Sequence, residues 1–129
     1  MGDGIENPMP LGGAMSVGGW NVVVVGRTES SASDESVRVA VRITARYVGS
    51  PERGSFFRDL SFAATGTGGS QYGLETDCED GIEGESGVIA GEVVEGNLCI
   101  VVDGEIGDLV LVVEARGGPR AHRVFLATE

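Results

Sequence analysis

The sequence predicts an all-β chain, an immunoglobulin-like β-sandwich of about eight or nine short antiparallel strands. Three observations carry this expectation. Hydrophobic residues make up 41% of the 129, and valine, a strand former, dominates them. Glycine is abundant at 22 residues and separates the short apolar runs, as turns do. Residues 37–48 alternate strictly, with Val37, Val39, Val41, Ile43, Ala45 and Tyr47 set against Arg38, Ala40, Arg42, Thr44 and Arg46. A period of two over that length marks a half-buried antiparallel strand.

The remaining elements follow in order. Pro8 and Pro10 forbid a helix near the start and suit an extended edge segment, preceded by a flexible stretch over 1–6. A short strand over 14–17 meets a Gly18-Gly19 turn, and a strand over 20–26 follows with valine on both faces. Residues 28–36, serine-rich and acidic, read as an exposed connection. After a turn around Pro51 and the pair Phe56-Phe57, Leu60, Phe62 and Ala64 alternate with smaller residues. Gly66-Thr67-Gly68-Gly69-Ser70 makes a hairpin-like connection into 71–74, and 76–87 is a long acidic loop. Strands are expected over 88–94 and 97–102, split by a Glu95-Gly96 turn, then over 109–115 and 123–127. No repeat or linker interrupts the chain, so residues 1–129 are expected to form one domain.

Composition excludes several functions. The formal net charge is −11, and all nine basic residues are arginine. Nucleic acid and anionic membrane surfaces both require clustered positive charge, which disfavours them as partners. No run reaches the ~18 apolar residues of a membrane-spanning helix. Gly66-Thr67-Gly68-Gly69 lacks the lysine and helix of a phosphate-binding loop. His122, the one histidine, sits beside Arg123 with no orienting carboxylate or nucleophile in view. No catalytic, cofactor-binding or metal-ligating residue is therefore assigned, and the chain is not read as an enzyme. That reading would change if Glu92 or Glu95 lay in a cleft with a second carboxylate at glycosidase separation.

Four features remain as candidates. Cys78 and Cys99 are the only cysteines, on separate strand-like runs. Such isolation suggests a disulfide and a compartment outside the reducing cytosol; two free thiols or a redox pair are the alternatives, although no C-x-x-C is present. Asp77, Glu79, Asp80, Glu83 and Glu85 are the densest acidic cluster. Their spacing misses the calcium-binding loop, and a solvated acidic loop is the plainer account. Arg38, Arg42 and Arg46 form a row on one sheet face: either a candidate interaction row for an acidic partner, or one side of cross-strand ion pairs. Trp20, entering a valine strand, reads as a core anchor.

The order of several segments carries a family likeness. Glu6-Asn7-Pro8-Met9-Pro10-Leu11-Gly12 is followed by Gly18-Gly19-Trp20, Tyr47-Val48-Gly49 and Asp59-Leu60-Ser61-Phe62. Asp77-Cys78 and Gly91-Glu92-Val93-Val94-Glu95-Gly96-Asn97-Leu98-Cys99 come later. The chain in this respect resembles the secreted or lipoprotein-associated immunoglobulin-like domains of unknown function from actinobacteria and other Gram-positive bacteria. Their fold is similar to that of the secreted immunoprotective antigens of mycobacteria. The resemblance implies that Cys78 and Cys99 pair and that the domain lies at the cell surface or outside the cell. It carries over no catalytic residue and no cofactor. The expected role is a non-catalytic module that binds another protein or itself. A structural subunit of a filament, coat or virion decoration is the alternative.

Overall fold

The computed structural model describes residues 2–33, 35–49, 54–66, 71–75, 78–82, 88–103, 108–116 and 123–129. Among these, eight strands and a single helical turn form two antiparallel sheets of four strands each. The first sheet runs β1 (Ala14–Val17), β2 (Trp20–Ser33), β3 (Ser36–Tyr47), β6 (Val93–Asp103), in that spatial order. The second runs β5 (Gln71–Tyr72), β4 (Leu60–Thr65), β7 (Val110–Ala115), β8 (Arg123–Ala127). The expected β-sandwich is what the chain adopts.

The core lies between the two sheets. β3 turns Val39, Val41, Ile43, Ala45 and Tyr47 inward, and β6 contributes Leu98, Ile100 and Val102. Leu60, Leu111, Val113, Val124 and Leu126 meet them from the second sheet. Fully burying each large aliphatic side chain contributes about 1.5–3 kcal/mol, so this layer drives the fold. Trp20 anchors one end of it. Its ring is fully buried, 5.1 Å from Tyr47 and edge-on to Phe56 at 5.3 Å. The Gly18-Gly19 turn delivers Trp20 to that place: both glycines have positive φ, +56° and +83°, as a tight hairpin between β1 and β2 requires.

Three expectations are corrected. Residues 28–36 are not a mere connection. β2 continues to Ser33 and pairs with β3 as a hairpin arm, with Glu29 opposite Val39 and Ser31 opposite Val37. The alternating valines of β3 impose pairing on a serine-rich partner whose own strand preference is weak. Glu95-Gly96 is not a turn either; β6 runs straight through it. Gly96 faces inward, where an added Cβ would lie 2.9 Å from both the Asp80 carbonyl and the Ile82 side chain. The glycine marks close packing rather than reversal. Finally, Phe56–Asp59 forms one helical turn, α1, within an otherwise all-β chain.

A bulge adds a subtler departure. The β2–β3 register shifts between Val24 and Gly26, placing Val25 outside the alternation and rotating the rest of β2 by one residue. Arg27 therefore points inward, opposite the buried Val41. Its side chain is only 7% exposed. It closes the lower end of the sandwich, bonding Thr128 Oγ1 at 3.0 Å and Glu129 at 2.8 Å. Thr128 in turn donates to the Leu109 carbonyl at 2.7 Å.

Candidate functional site

The outward face of the first sheet carries the arginine row. Arg38, Arg42 and Arg46 occupy every second outward position of β3, about 13 Å apart from one to the next. Arg38 and Arg46 are exposed and Arg42 is half-buried. Their cross-strand neighbours are not acidic. On β6 they face Val101, Asn97 and Val93; on β2 they face Ser30, Gly26 and Asn21. Glu95, opposite Thr44, reaches Arg42 diagonally at 3.7 Å. The side chains of Arg38 and Arg46 make no ion pair or hydrogen bond among the described residues. Most of the row thus lacks the acidic counterparts that a purely structural role would supply. Exposed apolar surface flanks it: Val25 at 57% and Val93 at 47%.

The cysteines brace the edge of the same sheet. Cys78 and Cys99 are bonded, with Cα atoms 5.5 Å apart and 21 residues between them in sequence. Cys99 is buried although it lies on the outward side of β6, because the Cys78 segment covers it. That segment also satisfies the strand edge. Asn97 N–H donates to the Asp80 carbonyl at 2.8 Å, and the Cys99 carbonyl accepts from Glu75 N–H at 2.8 Å. Ile82 packs beneath Gly96 as part of the core. Both sulfurs are consumed in a structural link, so neither is available as a nucleophile or metal ligand.

Two grooves border this edge. One, of about 670 Å³, opens beside the start of β6 between Arg42, Asp80, Val88, Glu92 and Glu95. Glu92 and Glu95 therefore do share a cleft with a second carboxylate, Asp80. All three are exposed, Glu95 faces Arg42, and Glu92 accepts a long bond from Ile89 N–H at 3.4 Å. Among the described residues, nothing there excludes water from a bond under attack. The other groove, of about 550 Å³, is lined by Phe57, Leu74, Ile82 and the disulfide.

Of the acidic cluster, Glu79 and Asp80 are exposed, while Asp77, Glu83 and Glu85 lie outside the described residues. So do His122 and the turn segments 50–53, 67–70, 104–107 and 117–120. Among the described residues no three carboxylate, thiol or imidazole side chains converge on one point. No described helix is long and apolar enough to cross a membrane. Arg27 is the residue that sequence reasoning missed. Its buried Nε has no hydrogen-bond partner among the described residues, and a third cavity, of about 310 Å³, lies beside it between Ile5, Pro8 and Leu109. The available signal was Gly26, a lone glycine inside a valine strand and so a marker of a bulge.

These features define a class: a disulfide-braced sandwich of two antiparallel four-stranded sheets. Two solved structures share the architecture. One is the secreted protein MPT63 of Mycobacterium tuberculosis, with TM-score 0.62 and 15% identity over 94% of this chain and 98% of that one. The other is an uncharacterized β-sandwich protein of Clostridium difficile, with TM-score 0.60 and 12% identity over 95% of each chain. At such identities the likeness concerns the fold. No protein-family model and no curated protein matches the chain.

Proposed function

We propose that residues 1–129 act as one non-catalytic module, outside the cell or at its surface, that binds an acidic protein partner through the outward face of β1-β2-β3-β6. The observation that carries this reading is the arginine row itself. Arg38 and Arg46 stand on a strand at the centre of the sheet with no acidic neighbour across from them. In a chain with 20 acidic and nine basic residues, cations without a counterpart among the described residues are conspicuous. Guanidinium groups recognise carboxylates through paired N–H donors, and the valines beside them add apolar contact that a protein surface could cover. The extracellular setting is supported by the disulfide and by the fold shared with a secreted protein.

Nuclear magnetic resonance titration tests the reading, with a peptide of alternating glutamate and valine and its lysine counterpart as probes. The glutamate peptide should shift the Nε–H signals of Arg38, Arg42 and Arg46, and the lysine peptide should not. The double variant Arg38→Ser, Arg46→Ser should lose the response. Equal binding by that variant would refute the assignment.

A further inference from the structure

We infer that the cavity beside Arg27 is a binding site for the amino end of a peptide. Arg27 points to the inner side of the first sheet, so this site is separate from the arginine row and independent of what that row binds. The side chain is firmly held. It is only 7% exposed, Nη1 donates to Thr128 Oγ1 at 3.0 Å, and Nη2 meets Glu129 at 2.8 Å and Glu29 at 3.4 Å. Nε is the exception: it is buried and has no hydrogen-bond partner among the described residues. A buried donor without an acceptor is costly, and marks a place where water or a ligand completes the hydrogen bonding. Arg27, Thr128 and Glu129 all line the cavity of about 310 Å³, which sets the guanidinium in its wall.

The rest of the lining decides the ligand. Ile5, Pro8, Leu109 and Ala127 give apolar walls, while Glu6, Asp108 and Glu129 bring three carboxylates. Glu29 offsets Arg27 further, so an anion would enter a surplus of negative charge. A fitting ligand has three parts: an acceptor for Nε–H, a cation for the carboxylates and a small apolar body. The first residue of a peptide carries all three, as its carbonyl, its α-ammonium and its side chain. The α-amino group is mostly protonated at neutral pH. Spacing agrees as well. The α-ammonium nitrogen and the first carbonyl oxygen are joined through only the Cα and carbonyl carbons. Nε and Nη2 belong to one guanidinium, so the empty donor and the Glu129 carboxylate are similarly close. The volume falls at the small end of ligand pockets, about 300–1,000 Å³, and suits one residue with its chain leading out. Ile5, 49% exposed, and Glu129, with its side chain 70% exposed, stand at the mouth.

Nuclear magnetic resonance titration of the whole chain tests this with three probes. They are Leu-Ala-Ala amide, its N-acetyl derivative, which lacks the ammonium, and isoamylamine, which lacks the carbonyl. The peptide amide should saturate and move the Arg27 Nε–H signal downfield, as a newly formed hydrogen bond does. The other two should bind about tenfold more weakly, having lost one charged or buried hydrogen-bonded contact. Combining Glu6→Gln with Glu129→Gln, whose amide oxygen still accepts from Arg27, should also weaken the peptide amide about tenfold. No saturation below about 10 mM would overturn the inference. So would an Nε–H signal that stays fixed, which means that water alone fills the cavity. Equal binding of the N-acetyl derivative, or full affinity in the double variant, would overturn it too.

Discussion

The indole N–H of Trp20 donates to the carboxylate of Asp59 at 3.1 Å, joining the first sheet to the helical turn that leads into the second. The same carboxylate oxygen accepts the Ser55 backbone N–H at 3.0 Å and so caps that turn, which Ser55's own side chain does not. One acidic side chain thus satisfies the most deeply buried aromatic donor of the core and a helix-terminal donor together.

Asp59→Ala should therefore cost about 1–3 kcal/mol, because it leaves the Trp20 N–H buried without an acceptor. Urea unfolding followed by Trp20 fluorescence measures this directly. A loss below about 0.5 kcal/mol would mean that water replaces the carboxylate.

Removing the disulfide with Cys78→Ala and Cys99→Ala should lower stability by about 3 kcal/mol, the chain-entropy value for a loop of this length. Hydrogen exchange should rise at Asn97, whose amide bonds the loop carbonyl of Asp80. Unchanged protection there would show that core packing of Ile82, not the bond, holds the loop.

Gly96→Val should destabilise by about 1–3 kcal/mol, since backbone and side chain already occupy the space a Cβ needs. Gly73→Ala is the control, because nothing lies within 4 Å of its added methyl. Thermal melts of the two variants should separate clearly.

Arg38→Ser and Arg46→Ser should leave stability within about 0.5 kcal/mol of wild type, as exposed changes away from any partner do. Arg42→Ser forfeits only the exposed contact with Glu95, worth about 0–1 kcal/mol. A drop well beyond these limits would mark the row as structural.

Period-two patterning made β3 legible from residues alone, since burial of one face leaves a direct imprint on composition. The Gly18-Gly19 hairpin was legible for a similar reason: positive φ selects glycine locally. Gly96 defeated the same logic because it is required by Ile82, a contact 14 positions distant that no local window contains. The arm over 28–33 was obscured because its partner strand, not its own serines, decides its conformation. Arg27 was hidden by a single-residue bulge that reverses the facing of everything after it. The arginine row was readable, but the identity of its cross-strand neighbours depends on register, which only the paired sheet reveals.

The parallel bridge between Met9 and Leu126 has a mechanical consequence. Pulled from Gly2 and Glu129, the segment around Met9 and β8 slide past each other along their length. The backbone bonds of Met9 to Phe125 and Ala127 are then strained together instead of opening one by one. Forced unfolding is governed by the rate of that first rupture, so a module tethered at one end and gripped at the other would yield late and abruptly.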